Sequence, residues 1–96
     1  MTDDGTFTLP LQGEIDILTV EQLRVQLSDA VERRPRRLAV DMAGVSFIDS
    51  TGLGALISAF KRARDNGTDF VLANPSTQVR QILVLSGLME VVPVTP

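Results

Sequence analysis

Apolar residues recur at every second position near the start of the chain, where Phe7, Leu9 and Leu11 alternate with less hydrophobic residues. This period is typical of a strand with one buried face. Pro10 cannot donate to a backbone ladder, so the strand should lie at an edge or carry a bulge there. The following Gly13 is free to take a positive φ. Short apolar runs add further strands, and the predicted strands are Phe7–Leu11, Leu38–Val40 ending at Asp41, Phe70–Ala73 and Val91–Val92.

Between these strands, apolar residues recur every three or four positions, as on one face of a helix. A first helix should have Thr19 as its N-cap, with Gln22 completing a capping box, and should end before Pro35. Two more should run from about Thr51 to Asn66 and from a cap at Ser76 to Gly87. The expected core stripes are Val20, Leu23, Leu27, Ala30 and Val31; Leu53, Leu56, Ile57, Phe60 and Ala63; Val79, Ile82 and Leu83. Alternating strands and helices predict an α/β protein with largely parallel strands.

Composition limits the chemistry of this chain. Its 96 residues make one domain, 1–96, and 44% of them are hydrophobic, which suits a globular fold. The chain has no Cys and no His, which excludes disulfides, thiol catalysis, Cys/His zinc sites and imidazole chemistry. Asp41 and Asp49 could in principle hold Mg²⁺, but nothing else in the sequence supports a metal site, so no metal or cofactor is expected. A net charge of −3 argues against nucleic-acid binding. An acidic start, Met1–Gly5, and short apolar runs predict a cytoplasmic protein without membrane insertion.

The segment Asp49-Ser50-Thr51-Gly52-Leu53-Gly54 lies between an apolar run, Val45–Ile48, and the second predicted helix. A serine at a helix N-terminus has free backbone N–H groups and the positive end of the dipole nearby, so a phosphate is tolerated there. Serine is also a preferred N-cap, and a cap hydroxyl can still be a substrate, so the two interpretations of Ser50 are compatible. A catalytic serine is not expected, because the chain has no histidine to activate it and no Lys lies near it in sequence. The protein is therefore predicted not to be an enzyme.

Three segments together, Gly13–Asp16, Val45–Gly54 and Ser86–Leu88, resemble the anti-sigma-factor antagonists of the STAS family over roughly residues 7–94. The resemblance implies the STAS fold, a mostly parallel four- to five-stranded sheet packed with three helices. Relatives usually have one more N-terminal strand and a further C-terminal helix, so we expect a STAS fold trimmed at the N-terminal strand and at the C-terminal helix. An uncovered sheet edge would allow pairing into a homodimer.

The same resemblance implies a regulatory binding module. The unphosphorylated protein would bind an anti-sigma factor that is also a serine kinase, phosphorylation of Ser50 would end the interaction, and a phosphoserine phosphatase would reset it. The residues implied in partner binding are Asp16, Asp49, Ser50, Thr51, Gly52 and Gly54. Asp49 could instead be a turn residue that bonds local backbone N–H groups, and Asp16 likewise. Gly52 and Gly54 are interpreted as positions where a partner approaches the start of the helix.

Two other functions stay open at this point. Some short STAS proteins resemble subunits that brace the ATPase of a lipid-trafficking ABC transporter. The short chain favours this alternative, whereas the intact Asp-Ser-Thr-Gly motif counts against it. A nucleotide-binding regulator would rest on fold analogy alone.

Overall fold

Every strand of the sheet is followed by a helix, as the sequence pattern predicts. The computed structural model describes residues 4–95. The elements in chain order are β1 (Thr6–Ile15), α1 (Val20–Glu32), β2 (Arg37–Ile48), α2 (Ser50–Asp65), β3 (Asp69–Ala73), α3 (Thr77–Leu85) and a 3₁₀ turn (Leu88–Glu90). The sheet order is β1-β2-β3, and both pairings are parallel. The predicted α/β architecture with a parallel sheet and three helices is therefore confirmed.

The sheet has fewer strands than the four or five expected. Within residues 4–95 a fourth segment contributes only an isolated parallel bridge, between Leu72 and Val94. The predicted strand at Val91–Val92 is wrong, because the chain turns there through the 3₁₀ segment and buries Val92 in the core instead. The bridge forms beyond Pro93, whose carbonyl accepts from the Leu72 N–H at 2.9 Å.

Strand β2 is longer than expected. It does not end at Asp41 but continues to the end of the following apolar run, because the ten-residue β1 pairs with it almost throughout. The pairing shifts register beside Pro10, which lies on an edge strand of the described sheet, so both expectations for that proline are confirmed. Gly44 permits the close pairing, since a Cβ there would lie 2.9 Å from the Leu11 carbonyl oxygen.

The core lies between the sheet and the apolar faces of the helices. Helix α1 packs against β1 and α2, α2 also packs against β3, and α3 packs against β2. The predicted stripes of all three helices contribute to this core, with Leu53, Ile57, Phe60 and Ile82 only partly buried. Across the described part of the chain, none of the helices combines the length and apolar character needed to cross a membrane.

The helix ends test the predicted caps. Ser76 accepts from the Val79 N–H at 3.2 Å, and Gly67 and Gly87 take positive φ values just after α2 and α3, as expected. The capping box at Thr19 is wrong, because its side chain makes no cap hydrogen bond. Its hydroxyl instead donates to the Glu14 carbonyl at 2.9 Å, which ties the start of α1 back to β1.

Candidate functional site

Two loops meet at the carboxyl ends of β1 and β2. The backbone N–H of Asp49, between β2 and α2, donates to the carbonyl of Ile15 at 3.0 Å. The residue after Ile15 is Asp16, which opens the β1–α1 loop. Parallel neighbouring strands end at the same edge of a sheet, so the loops that follow them lie side by side. The structure thus brings the two predicted segments, Gly13–Asp16 and the serine motif, to one edge.

The side chain of Asp49 caps helix α2. Its Oδ1 accepts from the N–H groups of Thr51 at 3.0 Å and Gly52 at 3.2 Å. The Thr51 hydroxyl also donates to Asp49, and this bond is the main cause of a lowered pKa at the carboxyl, to which backbone N–H groups add while partial desolvation opposes them. Asp49 is therefore a turn residue that bonds its local backbone, and its recorded partners do not include the Ser50 hydroxyl.

Ser50 is the first residue of α2 and is exposed. The expectation that Ser50 itself caps the helix is wrong, because Asp49 occupies that position with an extended backbone. Within the described chain the Ser50 hydroxyl makes no hydrogen bond, so it is open to solvent. Fewer backbone N–H groups are free at the start of α2 than the sequence predicted, since those of Thr51 and Gly52 already donate to Asp49. A hydroxyl in this setting can accept a phosphoryl group without losing an existing contact.

The two glycines of the motif differ in their surroundings. Gly52 is buried, and a Cβ there would lie 2.5 Å from Ile15 Cγ2 and 2.8 Å from Ile48 Cγ1. The close approach at Gly52 is therefore made by the protein's own strands, which corrects the expectation that a partner reaches the helix there. Gly54 is exposed, and a Cβ would meet no atom within 4 Å. Of the two, only Gly54 offers open space to another molecule.

The β1–α1 loop presents two large apolar side chains that the sequence reasoning missed. Ile17 and Leu18 are 71% and 89% exposed. The loop is tied down, because the Leu18 N–H donates to Asp16 Oδ1 at 2.9 Å and the Ile17 N–H contributes to lowering the pKa of Asp49. Asp16 is therefore a turn residue, in addition to the role in partner binding that the resemblance implies. The signal in the sequence was two consecutive apolar residues just before a helix, outside any periodic stripe.

The surroundings of Ser50 are acidic. Asp49 precedes Ser50 and Asp16 opens the neighbouring loop, and both carboxylates are half-buried. The single ion pair recorded for residues 4–95 joins Arg24 to Glu21 at 3.5 Å, on the surface of α1. No three His, Cys, Asp or Glu side chains among those residues are grouped so that they could hold a metal ion. The arrangement suits a binding surface with an acidic rim.

Comparisons with known proteins find several anti-sigma factor antagonists. The chain is 28% identical over 91 residues to the anti-sigma F factor antagonist of Paenibacillus polymyxa, covering 94% of this chain and 78% of that protein. An anti-sigma factor antagonist from Mycobacterium paratuberculosis has a similar structure, with a TM-score of 0.81 at 29% identity over 100% of this chain and 81% of that one. The phosphorylated form of the Bacillus cell fate determinant SpoIIAA gives 0.70 at 27% identity, covering 100% and 87%. A model of the STAS domain matches residues 1–96, and the chain therefore belongs to the STAS domain family.

Proposed function

We propose that this protein is an anti-sigma-factor antagonist controlled at Ser50. When Ser50 is unphosphorylated, the protein binds an anti-sigma factor in the cytoplasm. This anti-sigma factor is also a serine kinase, and on binding it releases the sigma factor that it held. The kinase then phosphorylates Ser50 and ends the interaction, and a phosphoserine phosphatase resets the protein. The observation that carries the proposal is the exposed Ser50 hydroxyl at a helix start already capped by Asp49. The protein acts as a regulator, and the phosphoryl-transfer chemistry belongs to the kinase.

The phosphate would act through its charge. Phosphorylation adds roughly −1.5 to −2 charges at neutral pH. The neighbouring Asp49 carboxylate has a lowered pKa and is negative, and it already holds the N–H groups of Thr51 and Gly52. These two donors are not available to neutralise the phosphate, so its charge faces the partner. Like charge across an interface costs several kcal/mol and each 1.4 kcal/mol is tenfold in affinity, so binding should fall by about a hundredfold or more.

The surface that faces the partner combines charge, bulk and open space. Asp16 supplies a carboxylate, Ile17 and Leu18 supply exposed apolar area, and Gly54 leaves room beside the Ser50 hydroxyl. Exposed apolar groups rimmed by polar ones are typical of protein-binding sites. Among the other residues implied in partner binding, Asp49, Thr51 and Gly52 shape this surface from within, through the cap and the close packing of α2 on Ile15.

The relatives support this function over a transporter subunit. The curated relative from Paenibacillus polymyxa and the solved mycobacterial protein both bear the name of anti-sigma factor antagonists. SpoIIAA, which is 27% identical, has been solved in a phosphorylated form. The intact Asp-Ser-Thr-Gly sequence at 49–52 points the same way.

The proposal is tested by quantitative pull-down from lysate of the native host, with Ser50→Ala and Ser50→Asp as baits. The matched control is Ser76→Asp, which places the same charge at the N-cap of another helix, where aspartate is also a good cap. A serine kinase should follow the Ser50→Ala and Ser76→Asp baits and be depleted from the Ser50→Asp bait. Purified, that kinase should transfer phosphate from ATP to the wild-type protein but not to Ser50→Ala.

Equal recovery of the kinase on the Ser50→Ala and Ser50→Asp baits would refute the switch. Recovery of the same transporter ATPase and permease on every bait would refute the regulatory function and favour the scaffold. In that case Ser50 would be an exposed helix residue without a regulatory role.

A further inference from the structure

Two adjacent hydroxyls lie at the start of α2, those of Ser50 and Thr51. The Ser50 side chain is exposed and the Thr51 side chain is half-buried. Both are alcohols that can accept a phosphoryl group. Their hydrogen bonds differ, however, and this difference bears on which of the two a kinase modifies.

The Thr51 hydroxyl is already hydrogen-bonded to Asp49. It donates to Asp49 Oδ1, and the same oxygen accepts from the backbone N–H groups of Thr51 at 3.0 Å and Gly52 at 3.2 Å. Because Thr51 donates both its hydroxyl and its own N–H to one oxygen, its side chain is held in one orientation. Within residues 4–95 no hydrogen bond holds the Ser50 hydroxyl in this way.

A phosphate on Thr51 would disrupt the α2 cap in two ways. The ester oxygen of phosphothreonine has no proton, so it would face the Asp49 carboxylate as a second acceptor and not as a donor. The phosphate would also place roughly −1.5 to −2 charges beside a carboxylate whose lowered pKa keeps it negative at neutral pH. A phosphate on Ser50 breaks none of the cap's hydrogen bonds, because the Ser50 hydroxyl makes none of them.

We infer that Asp49 is a specificity-determining residue, which confines the phosphate to Ser50 by holding the Thr51 hydroxyl in the helix cap. The inference rests on the proposed function and explains how that function acts at one hydroxyl of an adjacent pair. Asp49 is a positioning residue in this account, since it acts through Thr51.

The phosphoryl transfer itself needs nothing from Asp49. The Ser50 Oγ attacks the γ-phosphorus of ATP, a new O–P bond forms, the bond from that phosphorus to the bridging oxygen breaks, and ADP leaves with that oxygen. The hydroxyl proton passes to a base of the kinase. Asp49 is poorly suited to be that base, because its Oδ1 already accepts from Thr51 and Gly52 and its pKa is lowered.

The test uses the purified kinase from the pull-down, ATP and variants of the 96-residue chain, with phosphorylated residues assigned by fragmentation mass spectrometry. Asp49→Asn removes the charge but keeps a good N-cap, and Asp49→Ala removes the acceptor as well. The matched control is Ser76→Ala, which removes the cap bond to the Val79 N–H of α3 and leaves the α2 cap in place. Far-UV circular dichroism checks that each variant is folded.

Wild type and Ser76→Ala should carry phosphate almost only at Ser50. Asp49→Asn should raise the share of phosphothreonine at Thr51 about tenfold or more, because a like charge beside that phosphate is removed. Asp49→Ala should raise it further, since no acceptor then holds the Thr51 hydroxyl. Ser50→Ala alone should stay unphosphorylated, whereas Ser50→Ala combined with Asp49→Asn should be phosphorylated at Thr51. A purely structural role of Asp49 would lower stability without changing which hydroxyl is modified.

The outcomes separate this inference from the function on which it rests. If both Asp49 variants carry phosphate at Ser50 alone, as wild type does, the inference is overturned and the switch stands. If neither variant accepts phosphate at either hydroxyl while wild type does, the kinase recognises Asp49 directly, which also overturns the inference. If no kinase modifies wild type, or if Ser50→Asp binds the kinase as tightly as wild type, the proposed function fails and the inference fails with it.

Discussion

Two glycines of helix α2 should respond in opposite directions to alanine. In Gly52→Ala the new Cβ would lie 2.5 Å from Ile15 Cγ2 and 2.8 Å from Ile48 Cγ1. Those isoleucines are 4% and 1% exposed, so neither can turn toward solvent. Overpacking costs about 1–3 kcal/mol, and contacts as short as 2.5 Å with buried side chains belong in the upper half of that range. Alanine returns about 1 kcal/mol of helix propensity, so the net loss is about 1–2 kcal/mol.

Gly54→Ala is the matched control, in the same helix and with the same change. A Cβ at Gly54 would meet no atom within 4 Å. Only the propensity term remains, so the free energy of unfolding should rise by about 0.8–1 kcal/mol. The two variants should therefore differ by roughly 2–3 kcal/mol although they lie half a turn apart.

Urea and thermal unfolding followed by far-UV circular dichroism measure both variants, since the chain has no Trp or Tyr to report by fluorescence. A domain of this size changes its melting temperature by about 4–8 °C per kcal/mol, so the variants should melt on opposite sides of wild type. Gly52→Ala with wild-type stability would refute the packing argument. A double-mutant cycle with Ile15→Ala should show favourable coupling, because the alanine methyl then fills space left by the isoleucine.

Two further predictions concern Asp49. Asp49→Ala should lower the free energy of unfolding by about 1 kcal/mol, since it removes the α2 cap, whereas Ser50→Ala should change it by less than about 0.5 kcal/mol. If Asp49→Ala and Ser50→Ala lost the same free energy of unfolding in urea, Ser50 would contribute to capping α2 as much as Asp49 does. The Thr51 hydroxyl and nearby N–H groups lower the pKa of Asp49 in the folded protein below its usual value of 3.8. The charged carboxylate therefore stabilises the fold at pH values above 3.8, and this stabilisation is lost as the pH falls through the pKa of the folded state. Unfolding midpoints measured from about pH 5 to about pH 2 should therefore show wild type losing stability relative to Asp49→Asn, and a constant difference would contradict this.

Helix ends that depend on local chemistry were predictable from the sequence. Ser76 caps α3, and Gly67 and Gly87 take the left-handed conformation expected after a helix. Each of these signals acts within three or four residues, so the sequence contains both partners. The start of α2 was less predictable, because Asp49 and Ser50 are both good caps. Tertiary contact decides between them, since the Asp49 N–H is held by the Ile15 carbonyl.

The extent of the strands depended on partners that sequence patterns do not show. Asp41 looks like the end of a strand, yet β2 continues because the bulged β1 accompanies it. Val92 is 1% exposed, so its apolar character is explained by packing and not by a ladder. An apolar pair in sequence does not distinguish these two reasons for burial. The same limit applies at the site, where the close contact of Gly52 with Ile15 joins residues far apart in the chain.

In the proposed switch, capping and phosphorylation fall on different residues, Asp49 and Ser50. If the Ser50 hydroxyl capped α2, a phosphate on it would alter the helix start, and the state of the switch would change the stability of the fold. Asp49 instead holds the first N–H groups with a carboxylate that stays charged at neutral pH. An added phosphate then meets the positive end of the helix dipole without displacing a contact. Under the proposed function, phosphorylation would therefore act on the binding of a partner, and the fold that presents Ser50 should be the same in both states.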